Sequence, residues 1–251
     1  MNIAANFDPR KSTKLIGLEK SFIFFKKLLL SDKLPNVTLF TGDQGIGKNT
    51  LINHLIYFYF NKNNYNDEEY HFEDKIFIQK YLDNLIQNII YLDGDNSKYT
   101  KIEEIRNLKR LLLKSNINNL KRFVILDNVE KININSLNAL LKLIEEPGDH
   151  NNFILINNKT SPLIDTIKSR CIEFKIIINQ NNRNKIIKFL MDYHKQKSVF
   201  DENLIFVSPG NFLKFNYIFE KNKIDDNNEF LSTLNKLINL FKKEKENIYR
   251  D

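Results

Sequence analysis

Two hydrophobic patterns alternate along most of the chain. Short, largely apolar runs occur at 37–41, 89–92, 123–126, 153–156 and 172–178. Such runs are typical of strands that are buried on both faces of a parallel sheet. The segments between them carry apolar residues every three or four positions, as helices that cover a sheet do. The alternation up to about residue 178 therefore predicts an α/β fold with a parallel sheet.

The periodic segments predict where the helices lie. Helices are expected around 22–29, 49–60, 102–112 and 136–146, and the polar, Asn-rich stretch 61–75 is expected to be a surface loop. Beyond residue 178 the pattern becomes all-helical. Helices are expected there at 184–193, 211–220 and 228–245, and the last of them has an apolar stripe of Phe230, Leu234, Leu237 and Phe241.

Composition and charge narrow the class of protein. Of the 251 residues 42% are hydrophobic, and no apolar run approaches the roughly 18 residues that a membrane span needs. The first ten residues lack the pattern of a secretory signal, so we expect a globular protein of the cytoplasm with no membrane partner. The net charge of +7 is spread over the whole chain and supports a nucleic-acid context only weakly. The single cysteine and four scattered histidines predict no structural metal.

A phosphate-binding loop connects the first predicted strand to the next helix. Gly42, Gly45, Gly47 and Lys48 fit the pattern G-x-x-x-x-G-K, in which backbone N–H groups surround phosphate oxygens and the lysine reaches the outer phosphates. The strand before the loop and the helix after it provide the context that separates a P-loop from a chance match. ATP or ADP is the ligand that this pattern predicts.

The position after the lysine departs from the pattern. It usually holds a Ser or Thr that binds magnesium, whereas this chain has Asn49, with Thr50 one position later. A Lys-x-Thr ending resembles that of adenylate kinase and its relatives. Because Asn49 lacks the hydroxyl that binds magnesium, magnesium is expected only if a nucleotide binds with it. Two alternatives stay open, a loop that still binds nucleotide and a loop retained only as structure.

Three residues near the predicted strands add candidate chemistry. Asp127 directly follows the run 123–126. P-loop ATPases have a carboxylate at this place that acts through magnesium, and the alternative interpretation of Asp127 is a simple turn residue at the end of the strand. Asn128 follows it, and because an amide cannot take a proton from water, hydrolysis is expected to be slow or absent. Arg170 precedes the last strand. It is either a solvated arginine or a group that stabilises a phosphoryl group held by a neighbouring subunit.

Several segments together resemble a known family, the delta-prime subunits of the bacterial DNA polymerase III clamp loader, which are AAA+ proteins. The resemblance covers roughly residues 8–210. The matching segments, in order, are PNVTLFTGDQGIGKNT (35–50), KIEEIR (101–106), FVILDNVE (123–130), SLNALLKLIEEP (136–147) and TIKSRC (166–171).

The resemblance implies an architecture and a role for each site residue. It implies a RecA-like P-loop AAA+ domain at 1–178, a small helical lid at 179–210 and a short, collar-like helical region at 211–251. Subunits of this family do not hydrolyse ATP but complete the ATP site of an adjacent motor subunit. Arg170 would accordingly be an arginine finger acting in trans, and Asn157 and Asn158 would occupy the sensor-1 position. The P-loop residues with Thr50 and Asp127 would form a vestigial nucleotide site.

The resemblance also implies partners. These are gamma/tau-like motor subunits and a delta-like subunit in a hetero-pentamer, which loads the sliding clamp onto primed DNA during replication. The chain would be an accessory subunit of a DNA polymerase holoenzyme without catalysis of its own. Many relatives carry a four-cysteine zinc module, but 61–88 contains no cysteine, so no zinc is expected.

Two other functions stay open from the residues alone. One is an active AAA+ ATPase, the motor subunit of the same machine, against which Asn49 and Asn128 argue. The other is a nucleoside monophosphate kinase, which the Lys-x-Thr ending suggests. Such kinases need a cluster of arginines in a lid, and the sequence after the predicted sheet contains no such cluster.

Overall fold

The computed structural model describes residues 7–95, 102–112, 120–199 and 207–222, together with the helical positions 236, 238, 239 and 242. Apart from those four positions, the predicted helix 228–245 lies outside the described residues, as does its stripe of Phe230, Leu234, Leu237 and Phe241. No helix in the described part combines the length and apolar character needed to cross a membrane.

One parallel sheet organises the fold. Within the described residues it has five strands in the order β2-β3-β4-β1-β5, which confirms the predicted parallel sheet. The strands are β1 (Val37–Thr41), β2 (Ile89–Asp93), β3 (Arg122–Asp127), β4 (Asn151–Asn157) and β5 (Ile172–Lys175). The carboxyl ends of β1, β3 and β4 are adjacent, and the loops that follow these strands meet at that edge of the sheet.

The last strand corrects one prediction. The run 172–178 was expected to be a strand buried on both faces, but β5 contains only Ile172–Lys175 and forms the outer edge of the sheet beside β1. Its Ile172 side chain is 54% exposed. The apolar run did not predict this exposure, because a strand at the edge of a sheet can have an apolar sequence and still expose some of its side chains to solvent.

Helices cover both faces of the sheet. In the described residues they are α1 (Glu19–Leu30), α2 (Lys48–Phe60), α3 (Lys75–Leu82), α4 (Ile102–Leu112), α5 (Ile134–Glu145), α6 (Asp165–Lys168), α7 (Gln180–Tyr193) and α8 (Pro209–Lys221). Alternate strand residues face opposite layers, as strand geometry requires. Phe40 and Ile125 join a cluster with α1 and α2, whereas Leu39 and Leu126 join a second cluster with α4 and α5.

The stretch 61–75 is not the simple surface loop that its polar composition predicts. Tyr65 and Phe72 are buried in the core, and the ring of Phe72 stacks on that of Tyr57 at 3.9 Å between centroids. Helix α3, which the sequence did not predict, begins at the end of this stretch. The few aromatic side chains anchor the segment, while its Asn and Glu residues remain outside.

The last two described helices pack on each other. Ile187 and Met191 of α7 contact Phe212 and Leu213 of α8 in a small separate core. Phe7 also packs there. Its ring makes edge-to-face contacts with the rings of His194, which follows α7, and Tyr217 of α8. The division at residues 178 and 210 stays a prediction, although α8 begins at Pro209 and runs across the second boundary.

Candidate functional site

The glycine-rich loop occupies the turn between β1 and α2. Gly45 and Gly47 have φ values of 81° and 95°, a left-handed conformation that favours glycine. Gly47 is the N-cap of α2, whose helical residues begin with Lys48. Thr50 lies in the first turn of the same helix. The strand, loop and helix therefore have the arrangement that the P-loop pattern predicts.

Lys48 folds back over the loop. Its side chain is buried, and its Nζ donates hydrogen bonds to the carbonyl oxygens of Gly42 and Asp43 at 2.7 and 2.8 Å. Burial lowers the pKa of the Lys48 ammonium to about 8, although Asp127 and Glu130 favour its charged form. The loop thus supplies its own carbonyl groups as acceptors for the lysine that would reach a phosphate.

The carboxylate of Asp127 is saturated by neutral hydrogen-bond donors. Its Oδ2 accepts from Asn49 Nδ2 at 2.7 Å and from the Tyr91 hydroxyl at 2.8 Å. Its Oδ1 accepts from the Asn128 backbone N–H at 2.8 Å and from Asn158 Nδ2 at 3.1 Å. Burial, followed by the charge of Asp127, raises the pKa of Tyr91 well above its usual value, so this hydroxyl remains a donor. Both oxygens of the carboxylate are therefore engaged inside the chain.

Asn128 is also held in place rather than free to act. Its backbone has a φ of 51°, and its Nδ2 donates to Asp93 Oδ1 at 2.8 Å. Its Oδ1 accepts from Asn158 Nδ2 at 2.8 Å. The residue at the position of an ATPase general base is thus an amide whose nitrogen and oxygen both have partners.

The two sensor-1 candidates lie beside this network in different ways. Asn157 ends β4, is buried, and accepts a hydrogen bond from the backbone of Lys159. Asn158 reaches Asp127 and Asn128, and its backbone N–H donates to Glu130 Oε1 at 3.1 Å. Of the two, Asn158 is the one that contacts the carboxylate. Sequence reasoning missed Tyr91, which looked like an ordinary strand residue.

The donor set does not fit magnesium as an active P-loop ATPase binds it. Magnesium needs oxygen ligands in near-octahedral geometry. Asn49 instead directs its amide nitrogen at Asp127, which places an N–H donor where a hydroxyl oxygen would be a ligand. The glycines and Lys48, in contrast, remain suited to a phosphate group, since they retain the loop conformation and the cation.

The start of α8 rests on the P-loop. The Gly210 N–H donates to the carbonyl oxygen of Gly45 at 2.9 Å. A Cβ on Gly210 would lie 2.9 Å from Gly45 Cα, and one on Gly45 would lie 2.6 Å from Ser208 Oγ. Such distances are shorter than ordinary van der Waals contact, so both positions need glycine. Ser208 is the N-cap of α8, and Pro209 and Gly210 are its first two residues.

Arg170 lies apart from the other candidate residues. It precedes β5, whose Ile172 pairs with Thr38, so it is at the amino edge of the sheet, opposite the P-loop that follows Thr41. Its side chain is 37% exposed, and its Nε donates to Glu145 Oε1 at 2.6 Å. The structure therefore brings Lys48 and Asp127 together with three asparagines but leaves Arg170 on another surface. The three are Asn49, Asn128 and Asn158.

Comparison with known proteins finds relatives among the subunits of DNA polymerase III. The DNA polymerase III subunit gamma of Buchnera aphidicola from Acyrthosiphon pisum is 27% identical over 190 residues, which are 75% of this chain and 52% of that protein. The DNA polymerase III subunit delta' of Buchnera aphidicola from Baizongia pistaciae is 35% identical over 81 residues, 32% of this chain and 24% of that protein. The chain thus spans about half or less of the length of these curated relatives.

A solved structure and a family model complete the comparison. The structure of a Walker-type ATPase of Pyrococcus abyssi has a TM-score of 0.52 and 14% identity, and the match covers 97% of this chain and 79% of that chain. This likeness confirms the predicted P-loop α/β fold. A family model described as DNA polymerase III, delta subunit, matches residues 17–190. The chain therefore belongs to the DNA polymerase III delta subunit family.

Proposed function

We propose that the chain is a clamp-loader subunit that does not hydrolyse ATP and that acts on the ATP of a neighbouring subunit. Its partners would be gamma/tau-like motor subunits and a delta-like subunit, in a pentamer that loads a sliding clamp onto primed DNA. The observation that carries the proposal is the hydrogen bond of Asn49 to Asp127, because it uses the carboxylate that an ATPase needs for magnesium.

The chemistry of the P-loop edge supports a silent nucleotide site. Hydrolysis needs a metal beside the phosphates and a base for the attacking water. Here Asn49 and Tyr91 occupy one oxygen of Asp127, and Asn128 supplies an amide in place of a base. ATP or ADP bound at the loop would be held by its glycines and Lys48 without being turned over.

The position of Arg170 supports a role in trans. An arginine finger must leave its own subunit's surface to reach a foreign phosphate, and Arg170 is at the opposite edge of the sheet from its own P-loop. A guanidinium there can stabilise charge on a transferred phosphoryl group.

The relative named gamma favours a second candidate function, an active ATPase motor of the same machine. The two candidates differ in intrinsic turnover. The purified chain should hydrolyse no more ATP than its Lys48→Ala variant under the first proposal. Turnover that depends on Lys48 would instead favour the motor.

Reconstitution tests the finger itself. The chain is combined with candidate motor and delta-like subunits, the clamp and primed DNA, and ATP hydrolysis is measured. Arg170→Ala should lower the rate at the neighbouring site by about 1,000-fold. Lys168→Ala, which removes an exposed cation from the adjacent helix α6, is the control and should leave the rate unchanged. Equal rates for both variants would refute the proposed role.

A further inference from the structure

The guanidinium of Arg170 is held on one side by its own subunit. Nε donates to Glu145 Oε1 at 2.6 Å, and Nη1 donates to the carbonyl oxygen of Thr166 at 3.1 Å. Nη1 also lies 3.4 Å from Ser169 Oγ. Glu145 is the last residue of α5, and Thr166 belongs to α6. Two separate helices therefore restrain one exposed side chain.

These contacts leave one edge of the guanidinium for a ligand. Arginine has five N–H donors in a rigid planar fork. Among the described residues, Nε and Nη1 have acceptors and Nη2 has none. Because the group is planar, fixing Nε and Nη1 also fixes the direction of the two Nη2 donors. The side chain as a whole is 37% exposed.

The position of Glu145 at the end of its helix does not favour a glutamate. The carboxyl end of a helix carries a partial negative charge, so an acidic side chain there is electrostatically unfavourable. Glu145 is the last helical residue, and Glu146 is the C-cap. The favourable interaction of Glu145 is its ion pair with Arg170. Glu146 makes no ion pair within the described residues, which provides a matched control next to it in the chain.

We propose that Glu145 is a positioning residue, which orients Arg170 so that its free Nη2 edge meets a phosphate on the adjacent subunit. The inference rests on the proposed function and adds the element that prepares the finger. An unrestrained arginine would lose rotamer freedom when it engages a phosphate. Glu145 and Thr166 remove part of that loss beforehand, and an error of about 1 Å in such a group costs on the order of 100-fold in rate.

The test uses the reconstituted complex with full-length chain. ATP hydrolysis is measured for Glu145→Gln, for Glu146→Gln and for Arg170→Ala, and kcat and KM are determined separately. Glu145→Gln should lower kcat by about 10- to 100-fold with KM for ATP unchanged, because the finger acts on charge that develops in the transition state. Glu146→Gln removes the same charge one residue away and should behave as wild type.

A double variant separates positioning from a general effect on the interface. In the Arg170→Ala background, Glu145→Gln should cause no further loss, since the group that it orients is gone. Independent losses that multiply would overturn the inference. A Glu145→Gln rate equal to or above that of wild type would also overturn it, since Glu145 would then be passive or would compete with the phosphate.

The outcomes also distinguish this inference from the function on which it rests. If Arg170→Ala has no effect, the finger role fails. If Arg170→Ala lowers the rate but Glu145→Gln does not, only the positioning role fails. Should Glu145→Gln assemble poorly, Glu145→Asp keeps the charge and shortens the reach. It should give an intermediate kcat, and a rate equal to wild type would count against positioning.

Discussion

Asn49 Nδ2 lies 2.7 Å from Asp127 Oδ2, a contact between residues 78 positions apart. It joins the first turn of the P-loop helix to the end of β3. The Tyr91 hydroxyl reaches the same oxygen from β2, so three elements meet at one buried carboxylate. The position at which active ATPases use a metal is here a hydrogen-bonded junction within the fold.

Neutralising this carboxylate should destabilise the protein. Asp127→Asn replaces one accepting oxygen by a nitrogen that cannot accept, so the hydrogen bonds of Asn49 and Tyr91, or else those of the Asn128 N–H and Asn158, are lost. Hydrogen bonds to charged groups contribute roughly 1.5–3 kcal/mol, and we expect a loss of about 3 kcal/mol in the free energy of unfolding. Urea denaturation measures this loss. Asp43→Asn, at a side chain that is 76% exposed, is the control; equal stability of the two variants would contradict the junction.

Restoring a hydroxyl after the P-loop lysine should restore magnesium dependence. Asn49→Thr removes the amide from Asp127 and supplies a hydroxyl oxygen, which is the ligand type that magnesium prefers. In this variant we expect the affinity for ADP to be about tenfold higher in the presence of magnesium than in the presence of a chelator. In wild type the two affinities should be equal. Calorimetric titration measures both affinities. Adding Lys48→Ala should abolish the gain, and a variant indifferent to magnesium would contradict the argument.

The contact between the P-loop and α8 predicts the effect of a methyl group. Gly210→Ala places a Cβ 2.9 Å from Gly45 Cα, so the start of α8 must move away. Alanine would otherwise stabilise a helix by about 1 kcal/mol relative to glycine. We expect a lower melting temperature and faster amide exchange over residues 42–48. Glu220→Ala, exposed near the other end of α8, should show neither change. Unchanged exchange in Gly210→Ala would show that the helix does not press on the loop.

Acid should destabilise the protein through His54. Nδ1 of this buried histidine forms a hydrogen bond with the Tyr65 hydroxyl. Burial lowers the pKa of His54 from 6.5 to about 3. Between pH 6.5 and about 3, His54 is therefore protonated in the unfolded chain but neutral in the folded chain. The stability that the protein has above pH 6.5 is lost progressively as the pH falls toward 3. Melting temperatures from pH 7 to 4 should fall less steeply in His54→Gln. His150→Gln, at an exposed site, should follow wild type. A slope equal in all three proteins would exclude His54 as the cause.

Sequence patterns predicted most of the fold because strand and helix periods are local properties. The runs that became β1 to β4 are apolar since both their faces are covered, and this needs no knowledge of partners. Edge position is a property of the whole sheet, which is why exposed Ile172 in β5 was misjudged. The burial of Tyr65 and Phe72 could not be predicted for a different reason: single aromatic residues in a polar stretch form no periodic pattern.

The site was predictable in its parts but not in its contacts. Asn49 and Asn128 departed from a known pattern at known positions, and so their chemistry could be questioned from the sequence. Tyr91 carried no such signal, because its role depends on where β2 lies relative to β3. Glu145 and Arg170 both lie in distinctive segments, yet only the packing of α5 against the loop before β5 brings them to 2.6 Å.

The order of the strands has a consequence for how the protein is made. β1 is synthesised first among the strands, but its neighbours in the sheet are β4 and β5, so Thr38 pairs with Ile154 and Ile172. Contacts between such distant segments form slowly and leave apolar strands uncovered in the meantime. On the ribosome, the P-loop therefore emerges early but acquires both supporting strands only after residue 175 has left the exit tunnel. Truncation before β5 should leave a nascent chain in which β1 can pair with β4 but still lacks its second partner, β5.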